Sequence, residues 1–206
     1  MFDFDLLEIL IRVPIVLLSL SIHELAHGFV SYKLGDPTPK MQGRLTLNPL
    51  AHLDLWGTIL MILTRFGWAK PVQINPMYYK NRTRGMAITA AAGPLSNFLM
   101  ATVGVFLGVL FWEIGIDELF VDIAVEFALV NLSFMVFNLI PFPPLDGFKI
   151  AGLFIPKKIY YTILQYEQYI MIALMVLCVN NVFSDFIGEG VVTIFMWLAE
   201  LFELII

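Results

Sequence analysis

Long hydrophobic runs alternate with short polar segments along the chain. A membrane-spanning helix needs about 20 mostly apolar residues. Runs of about this length extend from about Leu6 to Leu34, Met86 to Trp112, Leu119 to Ile140 and Ile159 to Val179. A fifth run, Val191 to Ile206, is slightly short but strongly apolar. The pattern predicts an all-α membrane protein, a polytopic bundle of about five spanning helices.

A shorter apolar stretch, His52 to Leu63, lies between the first two runs. Its length is typical of a re-entrant or interfacial segment rather than of a span. Basic residues precede it at Lys33, Lys40 and Arg44 and follow it at Arg65, Lys70, Lys80, Arg82 and Arg84. Because basic residues collect in cytoplasmic loops, both ends of this segment are predicted to face the cytoplasm.

The other charged loops extend this topology. Acidic residues follow the second run at Glu113, Asp117 and Glu118 and follow the fourth at Asp185 and Glu189, whereas Lys149, Lys157 and Lys158 lie between the third and the fourth. Under the positive-inside rule, this alternation predicts that the chain begins outside the cytoplasm and ends inside it.

Residues 37–50 connect the first run to the re-entrant stretch. Apolar and polar positions alternate over Leu45, Thr46 and Leu47 after Gly43, and prolines bound the segment. This alternation predicts a small β-hairpin or a short strand. Unpaired backbone groups are costly in lipid, so the hairpin is expected to pack against protein or to line a wet cavity.

The composition supports a membrane domain. Of the 206 residues, 59% are hydrophobic, whereas an ordinary soluble domain has roughly 45–50%. We predict a single membrane-embedded domain over residues 1–206, with a core at about 6–156 and C-terminal helices at about 159–206.

The net charge of −5 is modest and basic residues lie in short loops, so nucleic acid is not expected as a partner. The lone Cys178 excludes an internal disulfide and a CxxC-type metal site.

The pentapeptide HELAH at residues 23–27 interrupts the first hydrophobic run. Residues four apart share one face of a helix, so His23 and His27 can bind one metal ion while Glu24 faces a bound water. The alternative is a polar cluster buried for structural reasons. Charged side chains inside a span cost roughly 2.5–3.5 kcal/mol each, which favours a functional site. At about 1.5 Å per residue, His27 lies about 9 Å from Lys33, below the cytoplasmic surface.

Two histidines leave one protein ligand to find, and two residues are candidates. Asp146 follows a break of three prolines and can either bind the metal or cap the next helix. A cap alone does not need a proline-rich break at membrane depth. For His52, a hydrogen-bonded interfacial histidine is favoured over a ligand. We therefore expect His23, His27 and Asp146 to hold Zn²⁺, one ion per chain.

With these motifs the sequence resembles the site-2 proteases, which are intramembrane zinc metalloproteases, and within them the compact group without PDZ or CBS domains. The matching motifs are HELAHG from His23 to Gly28, GRLTLNPLAHLD from Gly43 to Asp54, WAKPVQINP from Trp68 to Pro76, AGPLSN from Ala92 to Asn97 and NLIPFPPLDG from Asn138 to Gly147. The resemblance covers residues 21–150 and weakens after Pro156.

The resemblance implies roles for individual residues. His23, His27 and Asp146 would bind zinc. Glu24 would be the catalytic acid and base, and Asn138 would line the active site, where it can assist a developing oxyanion. A separate hypothesis comes from the alternation within residues 43–48: the predicted β-hairpin would lie near this site and offer a strand edge to an unwound substrate.

The activity implied is hydrolysis of a peptide bond in or near the transmembrane helix of a membrane-protein substrate. A zinc-activated water would attack with Glu24 as general base. The expected surroundings are the lipid bilayer of a prokaryotic cell membrane, with the active site toward the cytoplasmic side; the sequence leaves the oligomeric state open. The alternatives are a membrane metal transporter and a non-proteolytic metal-binding scaffold. A transporter needs a polar path across the bilayer, and Leu6 to Leu20 offers little besides Arg12 and Ser19.

The AGPLSN motif has an independent interpretation. Gly93 and Pro94, with alanines before them, predict a close-packed, kinked stretch of helix. Asn97 is able to hydrogen-bond to another helix. Core packing is favoured over a direct catalytic role for this segment.

Overall fold

The structure, a computed structural model, describes residues 6–54, 57 and 70–205. The α-helices with described bounds are α1 (Leu6–Lys33), α2 (Thr38–Met41), α3 (Arg82–Glu113), α4 (Glu118–Leu139), α5 (Asp146–Ala151), α6 (Lys157–Leu164), α7 (Glu167–Val179) and α8 (Ser184–Glu203). Short 3₁₀ turns occupy Pro49–Ala51 and Pro76–Tyr78. The predicted all-α class is confirmed.

Helices long and apolar enough to cross a membrane are found where the first three spans were predicted. They are Ile9–Lys33, Arg82–Glu113 and Glu118–Leu139. Side chains such as Leu99 and Val103 of α3 are exposed. Lipid contact is the environment that such apolar outer faces require, so these helices have the character of membrane spans.

The fourth and fifth predicted spans are not confirmed. Residues 157–179 form two helices, α6 and α7, whose axes differ in direction by 69°. Only if this bent pair counts as one span do the described residues contain four candidate spans. Helix α8 carries four acidic residues, Asp185, Glu189, Glu200 and Glu203, and is not among the candidate spans.

Helix α8 runs parallel to α3 and antiparallel to α4. One buried cluster joins Ala101 of α3, Leu132 and Met135 of α4 and Val191 of α8, and the next joins Val105 of α3, Ala128 of α4 and Leu198 of α8. Helix α8 therefore ends on the same side of the bundle as the α3–α4 loop. The charge pattern predicted that the end of the chain and the α3–α4 loop lie on opposite sides of the membrane, and this prediction is wrong. The bent α6–α7 pair returns the chain to the side at which α4 ends, so α8 starts there and runs toward the α3–α4 loop.

The β-hairpin predicted within residues 37–50 is also wrong. Helix α2 starts after Pro37, and a 3₁₀ turn starts at Pro49, where the Asn48 side chain accepts a hydrogen bond from the Leu50 N–H at 3.1 Å. No strand occurs between residues 37 and 50, all of which are described. Proline favours the first turn of a helix, and a three-residue alternation has no pairing partner. Most of the predicted re-entrant stretch, His52 to Leu63, lies outside the described residues.

Helix α3 is the centre of the bundle and contacts α1, α4, α5 and α8. It begins after Asn81, whose side chain accepts a hydrogen bond from the Arg84 N–H at 3.0 Å. Such a cap satisfies one of the backbone donors left free at a helix start. Helix α3 therefore lies beside both helices that carry the predicted metal ligands, α1 and α5.

Candidate metal centre

The two histidines of the HELAH motif lie one turn apart on α1 and face the interior of the bundle. Their exposed fractions are 5% for His23 and 6% for His27. The rings meet edge to face with centroids 4.6 Å apart, and the two Nε2 atoms are separated by 3.0 Å. Both imidazoles therefore offer the same nitrogen to the same point.

Asp146 reaches this point from α5. Its Oδ2 lies 3.3 Å from His23 Nε2 and 2.9 Å from His27 Nε2, and the ligand atoms of all three residues lie within 4.8 Å of one another. Asp146 is the first residue of α5 after the N-cap Leu145, so the alternative role of capping that helix is wrong. The other carboxylate oxygen, Oδ1, accepts from Lys149 Nζ at 3.1 Å.

The position of Asp146 depends on a close approach at Gly147. A Cβ atom added there would lie 2.5 Å from the carbonyl oxygen of Ile140 and would also collide with that of Leu139. Helix α4 ends at Leu139 because the prolines that follow cannot continue it. Gly147 then lets the start of α5 press against that end.

Each histidine is held by its other ring nitrogen. His27 Nδ1 lies 2.7 Å from the backbone carbonyl oxygen of Thr89, and His23 Nδ1 lies 2.6 Å from Oδ1 of Asn97. A carbonyl oxygen can only accept, so these contacts place the proton on Nδ1 and leave a lone pair on Nε2. This tautomer is the one that binds a metal through Nε2.

The three inward-facing atoms fit a cation. No hydrogen-bond donor reaches Asp146 Oδ2, although that atom is buried, and both Nε2 atoms carry lone pairs. Three electron-pair donors that face one another without a proton between them repel, and a metal ion converts that repulsion into attraction. Two imidazoles and a carboxylate are a ligand set that leaves the fourth position of zinc open, as in catalytic sites.

Helix α3 passes directly over the two imidazoles at Gly93. A Cβ atom at this position would lie 2.5 Å from Cε1 of His27 and 2.6 Å from Cε1 of His23, and it would collide with His27 Nε2. The close packing predicted for this segment is therefore packing against the predicted ligands themselves. Glycine is the residue that lets α3 come this near.

The comparisons with known proteins agree with this geometry. The sequence model of peptidase family M50 matches residues 114–178, which include Asp146. The zinc metalloprotease YwhC, so named, of Bacillus subtilis (strain 168) is 40% identical over 174 residues, which are 80% of this chain and 78% of YwhC. This chain belongs to peptidase family M50. The resemblance to site-2 proteases is thereby confirmed.

More distant relatives carry the same kind of name. The zinc metalloprotease Rip2, so named, of Mycolicibacterium smegmatis is 31% identical over 64% of this chain, and Rip2 of Mycobacterium tuberculosis (H37Rv) is 26% identical over 78%. The matched parts make up 52% and 63% of those two relatives. No solved structure gives a significant match. Family membership makes this chain a zinc metalloprotease, and this favours the protease over the transporter or scaffold. Its apolar helices make it an integral membrane protein.

The structure positions the other predicted residues of this M50 peptidase outside the three-residue cluster. Glu24 accepts a hydrogen bond from the backbone N–H of Val72 through Oε2 at 2.9 Å. The Asn138 side chain donates to the carbonyl of Phe134, one turn earlier in α4, at 3.0 Å and makes no hydrogen bond to the cluster. His52 is fully buried and donates from Nε2 to the Thr46 carbonyl at 2.9 Å, so it is a hydrogen-bonded histidine outside the cluster.

A second buried network supports the Thr89 carbonyl that accepts from His27. The Thr89 hydroxyl lies 3.0 Å from the Tyr79 hydroxyl, which lies 2.7 Å from Ser31 Oγ. Ser31 in turn donates to Asp36 Oδ2 at 2.8 Å. Because Asp36 only accepts, Ser31 accepts from Tyr79 and Tyr79 accepts from Thr89. The sequence did not point to this network, since the contact that joins its two halves, Ser31 to Tyr79, spans 48 residues of the chain.

Asp36 is fully buried between the end of α1 and α2. Burial by itself raises the pKa of this carboxyl, but hydrogen bonds from Thr38, from the backbone N–H of Asn75 and from Ser31 outweigh it and hold the pKa below its ordinary value. A lowered folded-state pKa means that the ionised form stabilises the fold. The stabilisation is complete above about pH 4, the ordinary pKa of aspartate, and is lost as the pH falls through the lower folded-state pKa.

Replacing Asp36 with asparagine is therefore expected to lower the free energy of unfolding at pH 7. An amide cannot accept all three donors, and leaving a buried donor unpaired costs about 1–3 kcal/mol. The measurement is unfolding of the detergent-solubilised protein at pH 7 and at successive values below pH 4. The difference between wild type and Asp36→Asn should shrink toward the acid end, whereas Asp185→Asn, at an exposed position on α8, should match wild type throughout. A difference independent of pH would contradict the argument.

Proposed function

We propose that this chain is an intramembrane endopeptidase that cleaves membrane-protein substrates in or near a transmembrane helix. One zinc ion per chain would be held by His23 Nε2, His27 Nε2 and Asp146 Oδ2, with Glu24 as general base and acid. The observation that carries the proposal is the convergence of these three lone-pair atoms on one point, two of them from a candidate span, with no protein donor between them.

The depth of the cluster supports a substrate within the membrane. His23 and His27 lie on the candidate span Ile9–Lys33, ten and six residues before its end, which corresponds to about 15 Å and 9 Å. A peptide bond must reach that depth to react. Substrates with a helix at this level of the bilayer fit the site better than soluble proteins, whose chains would have to enter lipid.

Zinc held by this ligand set would act as a Lewis acid, making a water molecule nucleophilic near neutral pH and polarising the scissile carbonyl. The Val72 N–H holds Oε2 of Glu24, which leaves Oε1 to take the proton of the attacking water. Glu24 would then deliver this proton to the amine nitrogen as the peptide bond breaks. One side chain thus serves first as base and then as acid.

Asn138 is the proposed donor to the oxyanion or to the substrate backbone. One of its two amide hydrogens is used by the Phe134 carbonyl, so the other remains to be donated. Asn138 lies in the last turn of α4, just before the proline break that leads to Asp146. This closeness to Asp146 along the chain supports a role for the Asn138 amide at the site.

The lipid bilayer and a membrane protein with a transmembrane helix are the proposed partners. Lys33, Lys40 and Lys149 lie on the side of the bundle where α1 ends, so the positive-inside rule favours the cytoplasm for that side. The bacterial relatives favour a prokaryotic cell membrane. The site would then open toward the cytoplasmic half of the bilayer.

Replacing Asp146 with asparagine tests the ligand set. The amide lacks the negative charge of the carboxylate. Zinc affinity should fall by at least the 10- to 100-fold that is lost when a residue hydrogen-bonded to a metal ligand is replaced, and cleavage should fall with it. The measurement is zinc content of the purified protein together with cleavage of a panel of membrane proteins, each with one transmembrane helix. Asp117→Asn is the matched control, because asparagine caps a helix as well as aspartate does.

Two results would count against the proposal. Full zinc content and cleavage in Asp146→Asn would exclude Asp146 as a ligand. Zinc-loaded wild type that hydrolyses soluble peptides but none of the transmembrane helices would exclude the proposed substrate class while leaving the metalloprotease intact.

A further inference from the structure

Three polar side chains from three helices form a chain that leads to His23. Ser19 of α1, Asn97 of α3 and Asn131 of α4 are each fully buried. Asn131 donates to Ser19 Oγ at 2.9 Å, and Asn97 donates to Asn131 Oδ1 at 2.9 Å. Burying polar groups in an apolar bundle costs free energy unless they are hydrogen-bonded, and each member of this hydrogen-bonded series has a partner.

The direction of every hydrogen bond in the chain follows from one backbone atom. The Phe127 carbonyl lies 2.8 Å from Asn131 Nδ2, and a carbonyl can only accept. The amide nitrogen of Asn131 must therefore face α4 and Ser19, so its oxygen faces Asn97. The nitrogen of Asn97 must point at that oxygen, and this leaves Oδ1 of Asn97 facing His23 Nδ1 at 2.6 Å.

The amide orientation decides the tautomer of His23. With an oxygen beside it, Nδ1 keeps its proton and Nε2 presents a lone pair to the site. If the Asn97 amide were reversed, its N–H₂ group would face Nδ1, and the ring would carry its proton on Nε2, pointing into the metal position. His27 has no such dependence, because its Nδ1 faces the Thr89 backbone carbonyl directly.

We propose that Asn97 and Asn131 are positioning residues that hold His23 in its metal-binding tautomer. Asn97 acts through its contact with Nδ1, and Asn131 acts one residue further away by fixing which way the Asn97 amide points. The proposal rests on the proposed function, since it requires His23 to bind zinc through Nε2. Simple helix–helix adhesion by the same hydrogen bonds is the competing explanation.

A rescue experiment separates the two explanations. In Asn131→Leu the Asn97 amide is free to reverse, so zinc affinity should fall by roughly 10- to 100-fold, the usual cost of an outer-shell change. In the double variant Asn97→Asp/Asn131→Leu, a carboxylate presents an oxygen to Nδ1 in either orientation. Zinc affinity should therefore return close to the wild-type value although the leucine is still present.

The measurement is the zinc dissociation constant of the full chain in detergent, by competition with a coloured chelator. Asn180→Leu is the matched control. Asn180 also donates to a carbonyl one turn earlier, at 2.7 Å, but it is the C-cap residue of α7 and has no contact with the series of hydrogen bonds that leads to His23. Unfolding of each zinc-free variant shows whether it is folded, and the double variant carries the same leucine as the single one. The control should bind zinc as wild type does.

Wild-type affinity in Asn131→Leu would overturn the inference, and so would a double variant as weak as Asn131→Leu, which is the result that helix adhesion alone predicts. His23→Ala is measured in the same series. Both results leave the proposed function standing when wild type binds zinc and His23→Ala does not. If wild type bound no zinc, the proposed function would fail, and the inference would fail with it.

Discussion

Replacing Glu24 with glutamine is expected to abolish peptide-bond cleavage and to leave the zinc content unchanged. Glutamine has the same shape, and its carbonyl oxygen can still accept from the Val72 N–H. It cannot take up a proton, however, so both proton transfers of the reaction are lost. General acid–base catalysis contributes typically 10²- to 10⁴-fold, and the rate of cleavage should fall by at least this much.

The experiment compares wild type with Glu24→Gln on one membrane substrate, with zinc measured in the same preparations. Glu113→Gln is the matched control, since Glu113 is exposed at the far end of α3, and it should cleave as wild type does. Full cleavage by zinc-loaded Glu24→Gln would show that another group moves the proton. Loss of zinc in that variant would instead make Glu24 part of the metal site.

Replacing Gly93 with alanine is the second change with a large expected effect. The methyl group would occupy the space beside His27 Nε2, 2.5 Å from Cε1 of His27 and 2.6 Å from Cε1 of His23. Either the rings turn away from Asp146 or α3 moves, and both disrupt the ligand set. We expect zinc binding and cleavage to be lost although every ligand residue is intact.

Zinc content and cleavage again provide the measurement, together with circular dichroism to show that the helices are retained. Gly188→Ala is the control, because Gly188 also lies in a helix and a Cβ atom there meets nothing within 4 Å. In an open helical position alanine stabilises by about 0.5–1 kcal/mol, so this variant should be as active as wild type. A zinc-loaded, active Gly93→Ala would mean that α3 lies farther from the histidines.

The parts of the molecule that the sequence predicted correctly share one property: each follows from a pattern of residues close together along the chain. The first three spans are runs of apolar residues longer than the bilayer requires, and the structure has helices in the same places. The three residues brought together at the candidate site were visible because polar side chains inside such runs are costly. HELAH supplies two of them on one helix face, and the proline break exposes the third.

The parts that the sequence missed depend on contacts between distant segments. The direction of α8 follows from the residues it packs against on α3 and α4. The alternation of charged loops contains no information about the bend between α6 and α7. The hairpin prediction rested on Leu45, Thr46 and Leu47, too few residues to specify a partner strand. Asn131 and Ser19 do have a local signal, since each is polar within an apolar run, but only the packing of α1, α3 and α4 shows that they connect to His23.

The attachment of both imidazoles through Nδ1 has a consequence for the entropy of metal binding. In a metal site without such anchors, the ligand side chains lose rotational freedom when the ion arrives, and part of the binding free energy is spent on ordering them. Here Thr89 and Asn97 hold the two rings already, so that ordering is completed as α1 packs against α3. Little of the free energy of zinc binding is then needed to order the ligand side chains. We therefore expect the ion to enter or leave while the helices stay assembled.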